Sequence, residues 1–237
     1  IYAQSTGDNA GKLIIANTDF GSNAAIEADL TVVGGTVDIE AEGNTSKSYG
    51  IEGKLTVKGG HVSVGITSDS STGRAYGVYD VDSDGYSVDI SGGSVAFRLT
   101  SKTYGYGVYS RTSGGSVNIS GGVLSIQNIS QKYAYGIYYK GDGTSLNVSG
   151  GTVFIETSAA STSSGIYHNS STGDAVKLTD GTAQIHGFNV VYGRSYNVEA
   201  PKIEVAGSDE VYSDWDSKTK LINYQYLRLT KPHVHSY

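Results

Sequence analysis

Apolar and polar residues alternate along this chain in runs of three to five, and glycine pairs or clusters of Ser, Asn, Asp and Gly separate the runs. In SVNISGG, Val117 and Ile119 stand between polar neighbours, and Leu124 and Ile126 do so in VLSI. Period-two alternation predicts strands with one buried face. Runs this short cannot be helices, and no 3.6-residue period of useful length occurs. The intervening glycines supply the positive φ angles that corners need.

The pattern repeats. Glycine pairs recur at Gly34, Gly59, Gly92, Gly121 and Gly150, with Asp180 and Gly181 in a degenerate sixth place, in steps of 25, 33, 29, 29 and 30 residues. A second marker keeps the same phase: SYGIE ends at Glu52, AYGVY at Tyr79, GYGVY at Tyr109, AYGIY at Tyr138 and SSGIY at Tyr167. A unit of about 29 residues with three short strands cannot bury its apolar face alone, whereas stacked units share one core. A β-propeller blade needs about 40 to 45 residues and four strands, so the period is too short for one. The predicted fold is all-β: a single-stranded right-handed parallel β-helix of about seven coils. With coils about 4.8 Å apart, the rod would be on the order of 34 Å long.

Stacking predicts columns of side chains. Leu55, Val88, Val117 and Leu146 should point inward, followed by Val57, Ile90, Ile119 and Val148. Beyond the glycine pairs come Val62, Val95, Leu124 and Val153, and then Val64, Phe97, Ile126 and Ile155. The outward column Asp89, Asn118 and Asn147 could bond amide to amide between coils. In the YGIY marker the branched residue should point inward, which sends Tyr79, Tyr109, Tyr138 and Tyr167 outward as an aromatic ladder. These four are the candidate ligand-binding residues, a platform for sugar rings, with plain cross-coil stacking as the competing reading. Tyr76, Tyr106 and Tyr135, two residues earlier, should share the inward side and stack within the core or at a corner.

Composition narrows the function classes. Glycine (33) and tyrosine (19) are abundant, and there is no cysteine, which removes disulfides, thiolate metal sites and thiol nucleophiles. A formal charge of -6 offers no basic surface for nucleic acid. No apolar run approaches the roughly 20 residues of a membrane helix. The Ser, Thr and Asn-rich, cysteine-free chain fits a bacterial exterior, so a secreted or cell-surface location is expected. Residues 1–29 read as an incomplete first coil with Ile26 in the branched position of the marker. Residues 201–230 read as a degenerate closing coil ending in a long strand, Leu221 to Thr230. The domain therefore spans 1–230, and 231–237 is a linker or tail.

Candidate chemistry is sparse. DVDSDG places Asp80, Asp82 and Asp84 at alternate positions before Gly85, as oxygen-ligand calcium loops begin. It is no EF-hand, because Ser91 holds the twelfth position and no helices flank it. A solvated turn is the competing reading. The pattern requires no cofactor, and calcium is the ion this corner would accept. Asp38 and Glu40 face Ser63 and Gly65, then Ala96 and Arg98, in successive coils, so no acid and base pair is specified. His61, His168, His186, His233 and His235 form no metal-like spacing within the repeats. Arg74, Arg98, Arg111 and Arg194 fall at dissimilar repeat positions.

The SGGxVxI and YGIY units over about residues 30 to 200 resemble the β-helical repeats of exported and cell-surface proteins of Gram-positive gut bacteria. They are also similar to non-catalytic carbohydrate-binding domains that share the pectate lyase type of right-handed β-helix. The resemblance implies a non-catalytic binding or adhesion domain of a modular extracellular protein, with polysaccharide or glycan as partner. The calcium, acidic cluster and catalytic arginine of the lyases do not transfer to matching positions. A polysaccharide lyase or glycoside hydrolase, and a passive structural stalk, remain the alternatives.

Overall fold

The computed structural model describes residues 2–3, 11–17, 24–43, 46–80, 85–111, 113–194 and 197–231. Among these the chain winds into a β-solenoid in which each coil contributes one strand to each of three faces. The first face holds Leu30–Val32, Leu55–Val57, Tyr86–Ile90 and Ser116–Ile119. The second holds Lys12–Asn17, Thr36–Gly43, His61–Ser68, Ser94–Ser101 and Val123–Ser130. Leu146–Ala159 and Val176–His186 run through the glycine corner and serve both faces, which joins them in one sheet. The third face is a separate seven-stranded sheet from Ala24–Ile26 to Asn189–Gly193. Seven strands enclose six intervals, so the described residues make about six turns.

The coil-to-coil pairings along the three faces are parallel and follow the repeat, with register shifts between Tyr86 and Val88 and between Val148 and Thr152. Val88 lies between Leu55 and Val117, Phe97 between Val64 and Ile126, and Val108 between Val78 and Ile137. The predicted inward columns are buried throughout, as Leu55, Val88, Leu124 and Val153 show with no exposed surface. Each such side chain contributes about 1.5 to 3 kcal/mol through removal from water. No unit could do so alone, because its neighbours above and below supply the cover.

Glycine turns the corner between the first and second faces for a steric reason. Gly93 has φ +73°, and a Cβ there would lie 2.3 Å from the carbonyl oxygen of Gly60 in the preceding coil. Polar ladders run beside the apolar ones. The Asn147 amide donates to Oδ1 of Asn118 at 2.9 Å, and the Ser101 hydroxyl donates to that of Ser130 at 2.9 Å.

The C-terminal region departs from the coil. Leu221–Asn223 is a 3-10 turn, and the strand expected from Leu221 begins only at Tyr226. Tyr226–Thr230 runs antiparallel to both Val176–His186 and Lys202–Ala206. It covers the free edge of the second face, which would otherwise present unpaired backbone groups. The tail from residue 232 lies outside the described residues. Among the described residues no helix is long and apolar enough to cross a membrane.

Candidate functional site

The third face carries the tyrosines, and one glycine per coil sets their arrangement. Pairing passes from Tyr76–Tyr106 directly to Val78–Val108, leaving Gly77 and Gly107 without a ladder position. A Cβ on Gly107 would lie 2.5 Å from the Ile126 side chain and 2.5 Å from the Gly136 carbonyl oxygen, so this position faces the core. Val108, next along, is also fully buried in the aliphatic core. Two consecutive inward positions, matched in every coil with no residue added to either strand, bulge the backbone and break the period of two. The tyrosines on either side of it therefore share the outer side.

This corrects the inward placement of Tyr76, Tyr106 and Tyr135. They stack from coil to coil at 4.9 and 5.4 Å, but in a layer separate from the aliphatic core. Tyr79, Tyr109, Tyr138 and Tyr167 form the expected outer ladder, with centroids 5.2, 5.1 and 4.5 Å apart and planes within 17°. The two columns meet edge to face, as Tyr106 does Tyr109 at 81°. Burial among neighbouring phenols favours the neutral form, and Tyr76 is pushed up to about 12. Desolvation also raises Tyr106 and Tyr135. Each aromatic pair adds about 0.5 to 1.5 kcal/mol beyond its burial. Ring faces are thus occupied by other rings, and edges and hydroxyls are what the outer ladder offers to solvent.

Asp80 follows Tyr79 and turns into the coil, where it is 1% exposed and accepts a 2.6 Å hydrogen bond from the Ser87 hydroxyl. Asp82 and Asp84 lie outside the described residues. His168 occupies the equivalent inward position two coils beyond Ser110, stacked on Tyr139 at 5.7 Å. Its Nε2 bonds to the Gly143 carbonyl at 2.9 Å, and burial lowers its pKa. Among the described residues no three His, Asp or Glu side chains converge as a metal cluster.

A concavity lies elsewhere, on the second face beneath the C-terminal arm. Its floor is two outward columns in register: Ser125, Phe154 and Gln184, and beside them Arg98, Gln127, Glu156 and His186. Glu210, Tyr212 and Tyr226 of the arm form the wall around a cavity of about 520 Å³, within the usual range for small-ligand sites. Phe154 is 43% exposed in a column whose other members from Asp38 to Gln184 are small or polar, with Ile14, 59% exposed, at its far end.

The wall is tied to the floor by contacts between aromatic and charged groups. Tyr226 lies opposite His186 in the antiparallel pairing, and their rings stack at 4.1 Å and 5°. The Tyr226 hydroxyl donates to Glu210 at 2.6 Å, and that bond to a carboxylate pushes the phenol up to about 12. Glu210 itself sits at φ 57°, a left-handed conformation uncommon outside glycine. Arg228 lies 4.2 Å over Tyr212 and pairs with Glu204 at 2.8 Å, and Lys202 meets the same carboxylate at 3.0 Å. These two cations hold Glu204 at about 2. On the floor the Gln127 amide donates to Glu156 at 3.3 Å.

The repeat grammar names none of the wall residues. One signal for the floor was present: Phe154 breaks the small or polar outward pattern set by Ala96 and Ser125. No protein-family model, curated protein or solved structure matches the chain.

Proposed function

We propose that this chain is a non-catalytic binding domain of an exported or cell-surface bacterial protein, and that it holds a carbohydrate in the groove beneath the C-terminal arm. The observation that carries the reading is the exposed Phe154 ring set among Arg98, Gln127, Glu156 and Gln184 on one rigid floor. A sugar offers an apolar C–H face and a rim of hydroxyls, and this floor pairs an apolar ring with donors and acceptors that match both. Parallel strands fix the spacing of these groups, so little ordering entropy is lost on binding. The resemblance of the SGGxVxI and YGIY units to surface-protein repeats supports the extracellular setting.

Calorimetric titration with a panel of neutral oligosaccharides tests the reading. Phe154→Ala should weaken binding about tenfold or more, or about 1.4 kcal/mol, while Lys218→Ala leaves it unchanged. Binding indifferent to Phe154→Ala and Gln127→Ala would overturn it. Release of new reducing or unsaturated ends would favour the lyase or hydrolase alternative. Absence of both binding and turnover would leave the stalk.

A further inference from the structure

The edge of the tyrosine face carries a second alignment that the sequence spacing concealed. Backbone bonds continue one residue past the third-face strands: Lys140 N–H to Ser110, Asn169 N–H to Tyr139 and Arg194 N–H to His168. Arg111 occupies the same place one coil earlier, its N–H bonding to Asp80. Arg111, Lys140, Asn169 and Arg194 are therefore one column. The last step of this column is only 25 residues, because the final coil is short and Tyr192 pairs with Tyr167. Arg111 and Arg194, which the regular period set at unlike positions, stand in the same column.

Three of these four positions are cations, and all three are exposed. They flank the outer tyrosine ladder, with Lys140 Nζ 5.4 Å from the Tyr138 ring centroid. The ion pairs among the described residues use Lys12, Lys102, Lys177, Lys202, Arg228 and Lys231, and none uses Arg111, Lys140 or Arg194. Two described acids of the adjoining corner bond to neutral groups: Asp142 accepts from Ser170 and Thr172, and Asp174 from Asn197. Among the described residues, a chain with net charge -6 thus holds a line of cations outside any ion pair beside phenolic hydroxyls.

We propose that this face is a second binding surface, distinct from the groove, which takes an acidic polysaccharide laid along the rod axis. Successive coils place their cations about 4.8 Å apart or at multiples of it, close to the rise of one sugar in an extended chain. Anionic groups on the polymer meet Arg111, Lys140 and Arg194. The hydroxyls of Tyr109, Tyr138 and Tyr167 bond to the sugar hydroxyls beside them. A single-stranded nucleic acid would need open ring faces on which its bases could stack, and these rings are already stacked on one another at 4.5 to 5.1 Å.

Binding of fluorescent dextran sulfate, alginate, neutral dextran and a single-stranded oligonucleotide, each at low and at physiological salt, tests the proposal. At least one of the two acidic polysaccharides should bind, and the pair distinguishes sulfate from carboxylate as the anion recognised. Neutral dextran should not bind at this face. Arg111→Ser with Lys140→Ser should reduce binding at least tenfold at an unchanged melting temperature. Tyr109→Phe with Tyr138→Phe, which keeps the stacking, should reduce it severalfold. Phe154→Ala should leave it intact, so failure of the groove reading and failure of this one are separately visible. Equal affinity for the oligonucleotide, indifference to the Arg111 and Lys140 changes, or no binding to either acidic polymer would overturn the proposal.

Discussion

The second and third faces are built from the same coils, yet they use outward aromatic residues in opposite ways. On the third face four buried and six partly buried tyrosines recur coil after coil, and each ring finds its partner in the next coil. On the second face Phe154 occurs once, between Ser125 and Gln184, and stays 43% exposed with the arm arching beside it. Repetition satisfies its own side chains, because identical residues in register stack on one another. Where the repetition is broken, a group such as the Phe154 ring is left unmatched.

Several measurements would break or sharpen that contrast. The largest effect is expected at the bulge that places the tyrosines. Gly107→Val puts branched atoms where even a Cβ meets backbone and the Ile126 side chain at 2.5 Å. It should cost about 4 kcal/mol or more, or prevent folding. A variant that melts within a few degrees of the parent would show that the bulge is not required.

Next comes the inner tyrosine column. Tyr106→Ala removes a ring 6% exposed and stacked on both sides, and should cost about 3 kcal/mol. Phe154→Ala should change stability by no more than about 0.5 kcal/mol, since that ring is open to solvent. Denaturant melts of the two variants compare the faces directly. Similar costs would refute the assignment of Phe154 to ligand and the tyrosines to packing.

Alkaline titration probes the tyrosine layer without mutation. Burial raises the folded values of Tyr49, Tyr76, Tyr106 and Tyr135, so their stabilising effect is complete below about pH 10, the unfolded value, and is lost as pH rises through the folded one. Tyrosine absorbance at 295 nm should rise in two stages, with the buried class ionising well above its ordinary value, Tyr76 at about 12, as the protein unfolds. A single transition near pH 10 that leaves the fold intact would contradict the packed layer.

A smaller effect than those in the tyrosine layer is expected at the arm. Glu204 has a lowered folded value, so its contribution is present above the ordinary carboxylate value of 4.5 and fades as pH falls toward about 2. Glu204→Gln should cost about 1 kcal/mol and make the arm more open to proteases. It should also weaken groove binding while leaving acidic polymer binding unchanged. Equal weakening at both surfaces would mean that they are not independent.

Much of this architecture was legible beforehand. The inward columns, the glycine corners, the Asn118 and Asn147 ladder and the Ile26 position in an early coil all follow from period two and a repeat near 29 residues. Three features were not. The Gly77 and Gly107 bulge is invisible to a count of two, because it needs the backbone to place two neighbours on one side. The short last coil moved Arg194 into line with Arg111, which regular spacing could not show. Asp80 belongs to a loop-like string, but the coil turns it inward onto Ser87.

Taken alone, the order of residues was enough to settle the solenoid, its core and its corners. Those properties rest on neighbours one repeat apart, and a repeat carries that information in every unit. The groove, the covered tyrosine faces and the line of unpaired cations were decided only by the folded chain. Each depends on a departure from the repeat, whether a bulge, a shortened coil or an antiparallel arm. Its consequence lies in where distant side chains meet, which no single unit of the sequence contains.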